Sequence, residues 1–296
     1  MNDKLKKWGV VFLCAVLSVG IYLYVGMVLT PKDINDSGGP MYYNGMGFLA
    51  EPEDSLDIMV YGNSDVYSGF YPKVLLEKFG YTSYASGRAM QNMDNINDLL
   101  KKTLERQSPK LVILETDCFY EERSQFLGDF NVFAPPFLYH ARWKELTARD
   151  FFTVPSRTNT IDASKGYIDS GLVCPADYPD DHMGNADEAP TPISHRNRRQ
   201  IDLFLRTCRE HGLPVLLVEL PSPHSWDYGR HNAVQQLADE YGLPFLDLNV
   251  LKDACGLDLA TDFRDNGNHL NRIGATKMTE FIGDYIRTNY AGLFAD

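Results

Sequence analysis

From Trp8 to Thr30 the chain carries no charged residue. About 20 consecutive apolar residues let a helix cross the hydrocarbon core of a bilayer, and this run supplies them. It is longer than the apolar stretch of a cleaved secretory signal, and no small-residue A-x-A pattern precedes Pro31. Cys14 sits mid-run without a lipobox before it, which argues against a lipid-modified start. Lys4, Lys6 and Lys7 lie on the short N-terminal side. Positive charge tends to stay on the cytoplasmic side of a membrane helix. The expectation is a single pass through the cell membrane, with Met1 in the cytoplasm and everything after Thr30 outside.

Beyond Thr30 the composition is that of an ordinary globular protein. The chain has 296 residues, 44% of them hydrophobic, which is enough for one large α/β domain. Its net charge of −12 would be repelled by phosphate backbones, so no nucleic-acid partner is expected. The cysteines form no CxxC pair, which speaks against structural zinc. Outside the membrane, Cys118, Cys174, Cys208 and Cys255 have the means to form one or two disulfides. Buried thiols are the favoured reading, because Cys118 follows an apolar run and Cys208 lies on an apolar helical face. Asp180, Asp181 and His182 are adjacent on a loop, and neighbours in sequence rarely converge on one ion, so no metal site is expected.

Short apolar runs alternate with helical patterns. Strands are expected at Leu56–Tyr61, Tyr81–Ala85, Lys110–Glu115, Pro214–Leu220 and Pro244–Leu248. Helices are expected at Pro72–Phe79, Gln91–Gln107, His195–His211, Gly229–Tyr241 and Gly274–Thr288, each with apolar residues on one face. This order implies a five-stranded parallel sheet covered on both faces, a three-layer α/β sandwich. The expected plan is a cytoplasmic start and anchor over 1–30, a linker over 31–54, and the α/β domain over 55–296. An aperiodic, aromatic-rich insertion at about 121–194 is expected to pack over the top of the sheet.

In such sheets, ligands bind beyond the carboxyl ends of the strands. The first strand runs into Tyr61-Gly-Asn-Ser-Asp65, which presents Ser64 where a nucleophile would stand. Near the C-terminus, His269 follows Asp265 in a polar loop before the last helix. A Ser after the first strand and an Asp–His before the last helix suit a nucleophile, a base and an orienting acid. Among weaker candidates, His140 and Arg142 are placed to line a substrate groove, with Arg142 meeting an anionic group. His224, Trp226 and Tyr228 lie after the fourth strand and are expected on the same edge.

These motifs resemble the SGNH (GDSL-like) hydrolase family over roughly Leu56 to the C-terminus. YGNSD is similar to the family's first block, with Ser64 as nucleophile, and DNGNHLN (Asp265–Asn271) to its last, with His269 as base. FLYHARWKEL (Phe137–Leu146) and PSPHSWDYGRHNAVQQLADEYGLPFLDLN (Pro221–Asn249) resemble membrane-anchored bacterial members. Those are similar to proteins of teichoic-acid D-alanyl transfer and exopolysaccharide O-acetylation, which work beside membrane-bound O-acyltransferases. The resemblance implies a flavodoxin-like sheet and an oxyanion hole built from Ser64, Gly87 and a residue after the third strand. It implies no cofactor.

The chain departs from that pattern twice. The family's acid stands three residues before the His, where this chain has Asn266. Asp265 is one residue further out, and Asp262 is the reserve. The family's Asn after the third strand is absent; Thr116 or Asp117 takes its place. An ionised Asp cannot donate to an oxyanion, so Thr116, Asn92 or a group from the insertion is expected to fill that role, and Asp117 to touch substrate. The expected function is a serine acyltransferase or esterase acting on O-acyl groups of a cell-envelope polymer. The rival is a catalytically inactive assembly or polysaccharide-binding protein on the same fold.

Overall fold

A computed structural model describes residues 3–36, 38–39, 43, 45–122, 135–156, 160–179 and 181–295. Five parallel strands form one sheet: β1 (Ile58–Gly62), β2 (Ser83–Gly87), β3 (Leu111–Glu115), β4 (Val215–Glu219) and β5 (Phe245–Asp247). Their spatial order is β2-β1-β3-β4-β5. The helices around it are α2 (Ser64–Gly69), α3 (Pro72–Phe79), α4 (Met93–Leu104), α5 (His195–Glu210), α6 (Tyr228–Tyr241) and α7 (Arg272–Asn289). The apolar N-terminal run is α1 (Asp3–Leu29). Its Lys6–Leu29 stretch is long and apolar enough to cross a membrane.

Strand side chains alternate between faces, and the core divides accordingly. Met59, Tyr61, Val112, Leu114 and Leu217 pack with Ile96 and Leu100 of α4, Phe204 and Cys208 of α5 and Leu237 of α6. Ile58, Val60, Ile113, Leu216 and Val218 pack with Val66 of α2, Leu75 of α3 and Met278, Ile282 and Ile286 of α7. Two apolar layers on one sheet give the expected sandwich. Five of the helix starts are fixed by chemistry already in the sequence: Asn63, Asn92, Ser194, Asp227 and Asn271 cap α2, α4, α5, α6 and α7 through their side-chain oxygens.

The chain divides into two compact units, and not where the sequence pattern put the borders. One unit joins Met1–Tyr43 to Ser124–Thr160; the other joins Asn44–Arg123 to Ile161–Asp296. The expected linker over 31–54 is therefore split between them, and so is the expected insertion. Residues 161–179 lie along the α/β unit. Lys165 O accepts from Ala85 N of β2 at 2.8 Å, Ile168 N donates to Tyr67 O at 2.8 Å, and Cys174 N donates to Phe263 O at 2.9 Å. That path crosses the carboxyl-end loops. Residues 123–134, 157–159 and Asp180 lie outside the described residues. Cys118, Cys208 and Cys255 are buried free thiols, and Cys174 is half-buried and free.

Candidate active site

The strand order reverses between β1 and β3, the switch point at which open α/β sheets bind ligands. Ser64 leaves β1 on one side of it as the first residue of α2, and Asp117 leaves β3 on the other. Asn63 joins the two: its Nδ2 donates to Asp117 at 2.9 Å, and its Oδ1 accepts from Asp65 N at 2.8 Å. Two glycines permit this crowding. A Cβ on Gly62 would lie 2.5 Å from the Glu115 side chain and from Val66. One on Gly87 would lie 2.6 Å from Asn63 O and 2.9 Å from Tyr67 N. Gly87 is thus the residue whose lack of a side chain lets the end of β2 lie against the Ser64 turn.

Asp265 is the acid that meets the imidazole. Its Oδ2 lies 2.6 Å from His269 Nδ1, and its Oδ1 accepts from His269 N at 2.6 Å. The extra residue between acid and base is absorbed by a left-handed turn, with φ of 59° at Asn266 and 93° at Gly267. Asp262 is fully buried and committed elsewhere: Lys277 Nζ donates to both its oxygens at 3.0 and 2.8 Å. With Nδ1–H donated to Asp265, Nε2 carries the lone pair that a base needs.

Tyr67 of α2, the helix that begins at Ser64, packs on this pair, a neighbour not anticipated from the sequence. Its ring stacks on His269, with centroids 6.2 Å apart and planes 20° apart. Burial pushes its phenol up, with the Arg264 guanidinium opposing. The signal was available, since Ser64 and Tyr67 are three apart on one helix and share a face. No hydrogen bond between Ser64 and His269 occurs among the described residues; the ring that stacks on His269 is that of Tyr67, three residues along α2 from Ser64. Catalytic hydrogen bonds commonly tighten only once substrate binds.

Behind Ser64 lies a bed of carboxyls. Burial, then Glu115 and Asp117, push Asp65 well above the usual carboxylate range. Burial and Asp117 push Glu115 up to about 8, against backbone N–H groups that favour its ionised form. Burial, then Glu115, raise Glu219 in the same direction. Asp117 is raised by burial, with Arg230 opposing. Ionised, this bed would oppose negative charge developing on a substrate oxygen; protonated, it does so far less.

Other candidates fall elsewhere. Thr116 is fully buried, with its hydroxyl donated to Glu219 at 2.6 Å and its N–H to Val218 O at 3.1 Å, so neither proton faces an oxyanion. Asn92 caps α4. Asp117 holds Asn63 and Arg230, whose guanidinium lies 4.5 Å from the Tyr120 ring centroid. Arg230 is a cation of this edge that no sequence motif singled out. Trp226 is buried in the core and donates to Asp247 at 2.8 Å, so it lines no groove. His224 is exposed and pairs with the Tyr178 hydroxyl. His140 and Arg142 belong to the other unit. His140 is exposed, with Nδ1 2.7 Å from Phe137 O. Arg142 is buried between Leu29 O and Asp150, so it is not presented to an anionic substrate. Among the described residues, no group of His, Cys, Asp and Glu is arranged to hold a metal ion.

No family model matches the sequence, and neither does any curated protein. Solved structures do match. One is described as a lipolytic protein of the G-D-S-L family from Desulfitobacterium hafniense DCB-2, at 12% identity over 77% of this chain and 98% of that one, with a TM-score of 0.43. Another is the family 3 carbohydrate esterase of Clostridium thermocellum, at 13% identity over 81% and 100%, with a TM-score of 0.41. A third is an acetyl xylan esterase, at 14% identity over 78% and 98%, with a TM-score of 0.38. Likeness this distant carries no chemistry, and the case for function rests on the residues.

Proposed function

We propose that the chain is a membrane-anchored SGNH-type serine enzyme that moves O-acyl groups to or from a cell-envelope polymer. The observation that supports it best is the Asp265–His269 pair, whose ring stacks on Tyr67, three residues along α2 from Ser64. Ser64 Oγ attacks the ester carbonyl while His269 Nε2 takes its proton. The tetrahedral oxyanion is held by the N–H groups of Ser64 and Gly87. His269 then returns the proton to the departing alcohol, and Asp265 steadies the imidazolium. A second alcohol, activated by the same histidine, takes the acyl group from Ser64.

Transfer is favoured over hydrolysis on two grounds. Anchoring through α1 would concentrate the domain beside membrane-borne donors and acceptors. The 161–179 segment flanks Tyr67, and excluding water favours an alcohol acceptor. The likeness of the motifs to envelope acylation proteins adds a membrane-bound O-acyltransferase as the expected partner. The N-terminus would be cytoplasmic and the α/β unit outside. The test is to install Ser64→Ala in the cell and quantify ester-linked acyl groups on envelope polymers. Their loss supports transfer, and their accumulation marks a deacylase. Thr116 has no free donor and Asp117 replaces an Asn, which favours a second reading, a catalytically inactive envelope-assembly protein. Unchanged esters in Ser64→Ala would select it.

A further inference from the structure

We propose that residues 135–156 form a collar that seats in the lipid headgroup layer where α1 leaves the membrane. This rests on the reading of α1 as an anchor.

The helix itself marks the boundary. Trp8–Val25 is exposed along its length apart from the half-buried Tyr22, whereas Gly26, Val28 and Leu29 are buried. Those eighteen residues rise about 27 Å, close to the ~30 Å of a bilayer core. Lipid-length exposure therefore stops where protein cover begins.

The cover is the collar. Pro136 and Pro135 lie 3.4 and 3.6 Å from the place a Gly26 Cβ would take. The Tyr24 hydroxyl donates to Phe151 O at 3.2 Å. All four terminal carbonyls of α1 are satisfied, which a helix end at low water content requires. Thr30 donates its N–H and hydroxyl to Gly26 O. Lys32 Nζ donates to Met27 O and Val28 O, and Arg142 Nη1 to Leu29 O at 2.7 Å. Two cations also suit the negative end of the helix dipole. Asp150 holds Arg142 at 3.0 Å, and Asp33 holds Arg149 at 2.7 Å. All of this lies within one unit.

The collar exposes large apolar and aromatic side chains. Phe137, Trp143, Phe152 and Val154 are 66, 65, 87 and 70% exposed. Single exposed apolar residues are unremarkable; four on the segment that grips a membrane helix at its exit form the composition of an interfacial belt. Lys144 lies 5.8 Å from the centroid of the Trp143 ring, placed to reach phosphate while its stem stays on apolar surface.

The test uses the full chain in vesicles of phosphatidylcholine and phosphatidylglycerol. Trp8→Phe leaves Trp143 as the reporter, with the buried Trp226 as a constant background. Flotation reports the anchor, and quenching by lipids brominated near the headgroup or near the chain end reports the collar. The expected result is flotation, with shallow quenching several-fold above deep quenching, lost when Trp143→Phe is added. Flotation with quenching indifferent to Trp143→Phe overturns the collar and leaves the anchor. Failure to float overturns both. Trp143 exposed to water in protein-free vesicles but shielded in native membranes also overturns the collar, because the face then meets a protein.

Discussion

Two Asp–His pairs of almost equal length stand in the α/β unit. Asp265 meets His269 at 2.6 Å, and Asp247 meets His231 at 2.7 Å. Distance does not separate them; surroundings do. Asp247 ends β5, is buried, and divides its oxygens among Trp226 Nε1, Asn249 N and His231. The His231 ring is held between Tyr228 and Phe245. That pair pins the end of β5 to α6. Asp265 spends both oxygens on His269 alone, and that ring stacks on Tyr67 of the helix that Ser64 begins. A carboxylate–imidazole pair becomes a general base only where its second nitrogen has a proton to take.

The largest expected effect breaks the comparison outright. In an ester-hydrolysis assay, Ser64→Ala and His269→Ala each lower kcat/KM about 10⁴-fold or more, with melting temperature little changed. His231→Ala leaves kcat/KM within a few-fold but costs about 1–3 kcal/mol of stability, since buried Asp247 loses a partner. The reverse outcome would exchange the roles of the two pairs. Next is Asp265→Asn, expected to lower kcat about 10²- to 10⁴-fold by leaving the imidazole without its acid. Asp262→Asn should act on melting instead, through Lys277.

A third effect is on stability against pH. The carboxyls of Asp65, Glu115 and Glu219 are all raised. In the folded state they hold protons that the unfolded chain has already released, so stability present at acid pH is lost as pH rises through about 8 for Glu115. Melting temperature is expected to fall between pH 5 and 8, as thermal denaturation would show, and Glu115→Gln should flatten that slope. The smallest effect is that of Tyr67→Phe. Removing the hydroxyl of the ring that stacks on His269 costs about 0.5–1.5 kcal/mol in the transition state, roughly 2- to 12-fold in kcat/KM.

Much of this was legible in the sequence, for a physical reason. Parallel strands buried on both faces are continuous apolar runs, so all five appear within about two residues of their expected places, as with β1 at Ile58–Gly62 against Leu56–Tyr61. Ser64 and His269 stood out as candidates because Ser64 comes just after the first strand and His269 just before the last helix. Choosing between Asp265 and Asp262 was not, because the left-handed turn at Asn266 and Gly267 decides which carboxylate faces the ring. Trp226 misled because an aromatic residue after a strand end reads alike whether it points inward or outward, and Arg142 because a basic residue in an aperiodic segment does too. The division of the insertion left no periodic trace at all.

The central claim is that Ser64 is a nucleophile activated by His269. A fluorophosphonate probe applied to the full chain in membranes, followed by peptide mapping, tests it directly. The account predicts one adduct, on Ser64, absent in Ser64→Ala and His269→Ala and retained in His231→Ala. A folded protein that takes no label, or one whose labelling survives Ser64→Ala, would contradict it.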